Sequence, residues 1–406
     1  MLSAVSRTTA HLLCVAGVGL VACGSSAEPA PDAADFGEPS TTYPSFTPAI
    51  PQVLDLGTHL TDVRVVPIVF AGDPMKPAIA DFIARLAASA TWHQLVGEYG
   101  VGALEAAPIV ELPGAAPART TDDELQALVL GLVDGTHPEV GPVDAATLHR
   151  TIYVVHYPRS TLLTAGGGVS CVDFGGYHSF AREPANRVLY ATVLDCKRTL
   201  PPQDFATLAL SHEVLEAATD PTLVDGWTGL TDAGVARAVA GGGGELGDMC
   251  AGLPVEPVDV GYTIQRSWSN AEARRFHEPC LPASDAPYIA AVPVEHDTAN
   301  VLVGGASVPL PATLIRLGDT ATVQLDLLSS GPTDDWSVEA FEDLRSSNGA
   351  ARLELALDRT TGRNGNHLYL HITLHDTPFL GATIYGVRSR LGDQTTVWYG
   401  AVAAAH

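Results

Sequence analysis

The 406-residue sequence carries 22 lysines and arginines against 46 aspartates and glutamates, a formal charge of −24. A field of that sign repels phosphate backbones, which argues against nucleic acid as a partner. The length leaves room for two domains with sizeable cores, and no apolar run beyond the N-terminus approaches the ~20 residues of a membrane-spanning helix.

Residues 1–22 have one charge, Arg7, followed by an uncharged apolar run from Leu12 to Ala22, which is the build of an export signal. The run closes on Leu20-Val21-Ala22-Cys23-Gly24 and resembles the bacterial lipoprotein processing box. That resemblance implies cleavage after Ala22, lipid on Cys23 and a membrane partner. It places the protein in the bacterial cell envelope, outside the cytoplasm. Cys14 leaves with the signal, so Cys171, Cys196, Cys250 and Cys280 remain. In an oxidising compartment the simplest pairing joins neighbours, Cys171 with Cys196 and Cys250 with Cys280, although four cysteines allow three connectivities. Each such loop would stabilise the fold by about 3 to 4 kcal/mol. Wide spacing without a Cys-x-x-Cys pair argues against a zinc–thiolate site.

Residues 23–52 are rich in Ser, Ala, Pro, Asp and Thr, and read as a flexible tether. A main domain is expected over 53–285. Val63 to Phe70 (VRVVPIVF) reads as its first strand, and a helix opening near Pro77 places Ile79, Phe82, Ile83 and Leu86 on one face. Thr121-x-x-Glu124 is a capping box opening a helix that buries Leu125, Leu128, Val129 and Leu132. Thr151 to Tyr157 and Val188 to Leu194 read as buried strands. Strands alternating with helices predict an α/β or α+β layer. Near residue 285 the helical signals stop. Alternating segments then run over Ala321 to Leu327, Trp336 to Ala340, Ala351 to Leu357, His367 to Leu374 and Ala382 to Arg388. Turn signals separate them, which predicts a small all-β sandwich over 295–406 without a catalytic cluster.

The segment Phe205 to Pro221, FATLALSHEVLEAATDP, has a helical pattern whose ionisable groups before its end are His212, Glu213 and Glu216. At 3.6 residues per turn His212 and Glu216 share a face and Glu213 lies about 100° around. This is how a zincin helix sets two metal ligands and a general base, with glutamate in the second ligand position of H-E-x-x-H. The competing reading is a charged stripe on a solvated face. Against it, so apolar a helix is expected to be buried, and enclosed carboxylates need a cation or hydrogen bonds. Asp220 aims a further carboxylate from the helix end. The run Gly241-Gly242-Gly243-Gly244 leads to Glu245 and Asp248 beside Cys250, and His178 stands beside the other expected disulfide. No Gly-x-Ser-x-Gly elbow supports a serine triad.

The strings VVPIVFAGDP, VGEYGVG (Val96 to Gly102), FGGYHS, SHEVLEAATDP, ELGDMC and QRSWSN, in order between Val63 and Cys280, resemble those of secreted bacterial relatives of the plant EXORDIUM, or phosphate-induced, family. The resemblance implies a secreted globular domain with a zincin-like H-E-x-x-E helix, and leaves the activity open. On this reading His212 and Glu216 bind a divalent metal together with Glu245 or Asp248. Glu213 is the catalytic base, and His178 and Asp220 stand behind the ligands. Zinc is the first expectation. Carboxylate-rich ligation also suits calcium or manganese. A metallopeptidase-like hydrolase is set against a non-catalytic extracellular protein whose metal and disulfides hold its shape, or one that binds a peptide or cell-wall ligand.

Overall fold

The computed structural model describes residues 35–405 apart from 136, 138–139, 141–142, 183–186, 197–199, 304–305 and 344–348. The expected export signal, the expected lipid site at Cys23 and the expected tether up to residue 34 lie outside the described residues. Among the described residues no helix is long and apolar enough to cross a membrane.

The main part is a mixed α/β layer. Its sheet runs in the order Leu104–Ala106, Val63–Phe70, Thr151–Tyr157, Arg187–Leu194, Gly176–Arg182, with Val110–Leu112 also on Val63–Phe70. All neighbours are parallel except the edge strand Gly176–Arg182. Thr151–Tyr157 is buried throughout, as a parallel strand covered on both faces must be. On one face Val65, Val154 and Ala191 meet Ile79, Phe82 and Leu86 of helix Lys76–Ala88, and Leu210 and Val214 of helix Pro202–Thr219. On the other, Ile68, Val155 and Tyr190 meet Leu125, Val129 and Leu132 of helix Asp122–Asp134.

The capping box forms as expected: Glu124 N–H donates to Thr121 Oγ1 at 3.2 Å and Thr121 N–H to Glu124 Oε2 at 2.9 Å. Thr121→Ala is therefore expected to cost about 1 kcal/mol in urea unfolding with no change in the denaturant slope. An unchanged midpoint would mean that helix packing alone fixes this end.

The C-terminal part is a β-sandwich. One sheet runs Ile289–Val294, Thr320–Ser329, His367–Leu374, Leu353–Leu357; the other Asp297–Val303, Ala306–Ile315, Gln394–Ala404, Thr383–Leu391, Trp336–Glu342, Thr361–Gly362. His367–Leu374 alternates strictly, sending Leu368, Leu370, Ile372 and Leu374 inward against Trp336, Tyr385 and Val402.

Two expectations are corrected. The sandwich begins at Ile289, not 295, because Ile289–Val294 pairs antiparallel with Thr320–Ser329. From Phe36 the expected tether is instead laid on the sandwich. His367 N–H donates to Phe36 O at 2.7 Å, and the Asn364 amide donates to Ser40 O at 3.0 Å and Thr42 O at 2.8 Å. Phe46 stacks against His367 with ring centroids 5.0 Å apart. Two phenylalanines and a buried amide outweigh a composition that reads as unstructured.

Both neighbour disulfides are present, Cys171–Cys196 and Cys250–Cys280. The described residues from Phe36 onward form one compact unit. Helix Asp232–Gly241 lies between its two parts, burying Val235, Ala236 and Ala240 against Leu310, Ile384 and Ala401 of the sandwich. Its Arg237 donates to Met249 O at 3.0 Å and to Val397 O, with the guanidinium 5.1 Å from the Trp268 ring centre and 5.3 Å from that of Tyr399.

Candidate metal centre

Three distant stretches of chain converge on the helix Pro202–Thr219. Pro202 opens it at a position where no N–H is needed, and Asp220-Pro221 stops it. From Ala206 onward it is buried on nearly every side, which removes the solvated-stripe reading: Glu213 and Glu216 are both enclosed. The edge strand Gly176–Arg182 points His178 at the helix, while Tyr177, on the opposite face, donates to Asp122. Gly176 is required for the approach, since a Cβ there would stand 2.8 Å from Glu213 Oε1. The glycine run folds tightly over Asp248: a Cβ on Gly241 would meet Asp248 O at 2.3 Å. The Cys250–Cys280 bridge anchors the turn Asp248–Cys250.

The ligand atoms fall into two groups. His212, Glu216 and Asp248 offer atoms all within 4.8 Å of one another, and so do His178, Glu213 and Glu216. His212 Nε2 is 2.9 Å from Glu216 Oε2 and 3.8 Å from Asp248 Oδ1. His178 Nδ1 is 3.6 Å from Glu213 Oε2 and 3.8 Å from Glu216 Oε2. Glu245 stands at the far side of that ring, its Oε1 3.3 Å from His178 Nε2. His178 Nε2 is also 3.2 Å from Asp220 O, and because a carbonyl only accepts, the ring proton is on Nε2.

The sequence thus grouped His212, Glu216 and Asp248 as the structure does. It set His178 behind the ligands, whereas the ring stands among the carboxylates, and it set Glu245 beside His212, whereas Glu245 faces His178. Asp220 meets the centre through its carbonyl. Its carboxylate turns into its own loop, with Oδ1 accepting from Gly226 N–H at 3.0 Å. Gln265 went unnoticed as a site residue. Its amide nitrogen lies 2.6 Å from His212 Nδ1 and donates to Gly247 O at 2.8 Å. This leaves the His212 proton on Nε2, facing Glu216; rotation of the amide would give the ring an acceptor and free Nε2 for a metal. The one sequence signal for Gln265 is that it opens the QRSWSN string.

The centre is short of positive charge. Burial opposes protonation of both rings, yet Glu245 and Glu213 hold His178, and Glu216 and Glu213 hold His212, well above the usual imidazole value. Burial pushes Glu216 up to about 8 and Asp248 up to about 6, against the pull of His212 on each. Burial also raises Asp220. Asp220 Oδ2 and Glu245 Oε1 are buried without a hydrogen bond. Two imidazoles and several carboxylates in this state fit a divalent cation by donor type and by unmet charge. A cleft of about 640 Å³ beside Glu272, His277 and Tyr288 lies elsewhere; one of about 220 Å³, lined by Arg237 and Tyr399, reaches Asp248.

Gly247→Ala is expected to weaken metal binding at least about tenfold, because its Cβ would stand 2.7 Å from Glu216 Oε1 and 2.8 Å from His212 Nδ1. The backbone there, at φ −70°, suits any residue, so the effect is confined to the site. Competition with a chromophoric chelator measures it, and an unchanged affinity would rule out this arrangement of Glu216 and His212 in the bound protein.

Fold and site together define a mixed α/β protein with a candidate divalent-metal centre and an attached β-sandwich. No family model matches the chain, and no curated protein matches it. Among solved structures it is similar to a chimeric titin Z1Z2 functionalized with a KLER exogenous peptide from decorin, at 12% identity over 30% of this chain and 97% of that one, with a TM-score of 0.18. It is similar to the titin M3 domain at 11% identity over 22% of this chain and 84% of that one, with a TM-score of 0.16. At such scores the likeness carries no argument.

Proposed function

We propose that the chain is an exported, lipid-anchored envelope protein, related to the secreted bacterial relatives of the EXORDIUM family, whose zincin-like H-E-x-x-E centre holds a divalent metal and hydrolyses a peptide-like carbonyl substrate. One observation carries the reading: His178, His212, Glu213, Glu216, Glu245 and Asp248, from separate stretches, converge on one enclosed centre. The two disulfides support the oxidising compartment. Zinc is the first candidate, since two imidazoles face the centre; calcium would leave them little to do.

A divalent ion held by His212, Glu216 and Asp248 would supply Lewis acidity toward a carbonyl oxygen. Glu213, one residue on from His212 and 7% exposed at its side chain, is placed to take a proton from an attacking water. His178 fixes the carboxylates from the opposite side. A purely structural metal is the second reading, favoured by how little of Glu213 and Glu216 reaches solvent.

Cleavage of casein or a peptide library by the purified protein tests the choice. Expected are activity abolished by chelation, activity restored by zinc, and a loss of about 100-fold or more in Glu213→Gln. Metal-replete protein that cleaves nothing would leave the structural reading, and protein that takes up no metal would end both.

A further inference from the structure

We propose that this centre takes two divalent ions, not one, with Glu216 shared between them; the inference rests on the metal reading above. The two groups of ligand atoms have Glu216 alone in common: His212 and Asp248 on one side, His178 and Glu213 on the other. Both rings address the same atom, Glu216 Oε2, at 2.9 Å from His212 Nε2 and 3.8 Å from His178 Nδ1. Glu216 Oε1 is engaged by Asp248 N–H at 3.1 Å, so Oε2 is the oxygen left to bridge.

Charge points the same way. Once metal displaces their protons, neutral imidazoles and the carboxylates of Glu213, Glu216, Glu245 and Asp248 bring four negative charges into a largely enclosed space. One divalent ion would leave two of them uncompensated, and two ions would compensate all four. Uncompensated buried charge costs several kcal/mol per ion. Glu245 Oε1, buried without a hydrogen bond and 3.3 Å from His178 Nε2, marks further unmet demand on the His178 side.

The His178 half is already set for a ligand. Its Nε2–H donates to Asp220 O, which turns Nδ1, the nitrogen a metal would take in place of a proton, toward Glu213 and Glu216. A carbonyl behind a ligating histidine is how such rings are commonly oriented. The ions called for are of the zinc or manganese class, which accept mixed nitrogen and oxygen ligands. Glu213 then holds the second ion, a role that replaces the proton acceptor it would be beside a single ion.

The test is metal stoichiometry on full-length protein, stripped by chelation and reloaded with zinc or Mn(II), read by elemental analysis together with the electron paramagnetic resonance of the manganese form. Expected are two ions per chain and an exchange-coupled manganese pair in the wild type. Glu213→Gln and Asp248→Asn should each hold one ion with an uncoupled spectrum, and Glu216→Gln should lose the coupling. One ion per chain, retained in Glu213→Gln, would overturn the shared centre while sustaining the single-metal reading; no ion at all would overturn both. Wild-type stoichiometry and coupling decide the matter even where a variant fails to fold.

Discussion

Exhaustive chelation is expected to lower the melting temperature of the purified protein by about 5 °C, and added zinc to restore it. A ligand that binds only the folded chain stabilises it by RT ln(1 + [L]/Kd), about 4 kcal/mol at a thousandfold excess over Kd. In a unit this size each kcal/mol is worth one or two degrees at most, by extension from smaller domains. The sensitivity is built into the helix Pro202–Thr219, which lies on the main sheet and carries Glu213 and Glu216 into the interior. With the cation gone, the Glu216 carboxyl, pushed up to about 8 by burial, keeps its proton or repels its neighbours, at a cost borne by the helix that packs the core. Calorimetry before and after verified metal removal measures the change. An unmoved transition would show that hydrogen bonds within the centre already balance its charge.

The second large effect lies in the sandwich. Glu295 is pushed up to about 8 by burial, which outweighs the hydrogen bonds its Oε1 accepts from Ala401 N–H at 2.7 Å and Tyr385 O–H at 3.3 Å. A carboxyl whose folded value lies above its unfolded value of about 4.5 binds its proton more tightly when folded. Its contribution is full below pH 4.5, falls as pH rises, and is lost by about pH 8. The side chain is only partly buried, so the fall is expected to be about 2 to 4 kcal/mol. Glu295→Gln keeps an acceptor for both donors and cannot ionise. It should match the wild type near pH 4.5 and exceed it by that amount at pH 9 in urea unfolding. Parallel pH profiles for the two proteins would show that Glu295 ionises freely in the folded state.

Much of the architecture was legible because periodicity and burial agree. Val63 to Phe70 and Thr151 to Tyr157 are mostly apolar runs broken only by Arg64, Thr151 and His156, and such runs become strands covered on both faces. His367 to Leu374 alternates without a fault. Asp297–Val303 and Ala306–Ile315 were not legible. The second contains Pro309 and Pro311, which count against a strand; they stand opposite Asn300 and Thr298, and the pairing on the strand's other side begins only at Thr313. Phe36 to Phe46 was hidden for a different reason: its partners, Asn364 and His367, lie more than three hundred residues away. In the centre, spacing on one helix identified His212, Glu213 and Glu216. The placing of His178 depends on strand order, and that of Gln265 on a short hairpin with Pro254–Val255; neither leaves a periodic trace.

Helix Asp232–Gly241 gives its outer face to the sandwich and then runs straight into the glycines that deliver Glu245 and Asp248. The C-terminal sheets are therefore a splint for the candidate centre and not a passenger behind it. A gene rearrangement that swapped them for another module at residue 285 would strip three apolar side chains, Val235, Ala236 and Ala240, of their cover and leave Arg237 without Val397 and Tyr399. Inheritance of the two halves as a single piece is what that seam demands, and any shortened version meant for the laboratory bench should keep both.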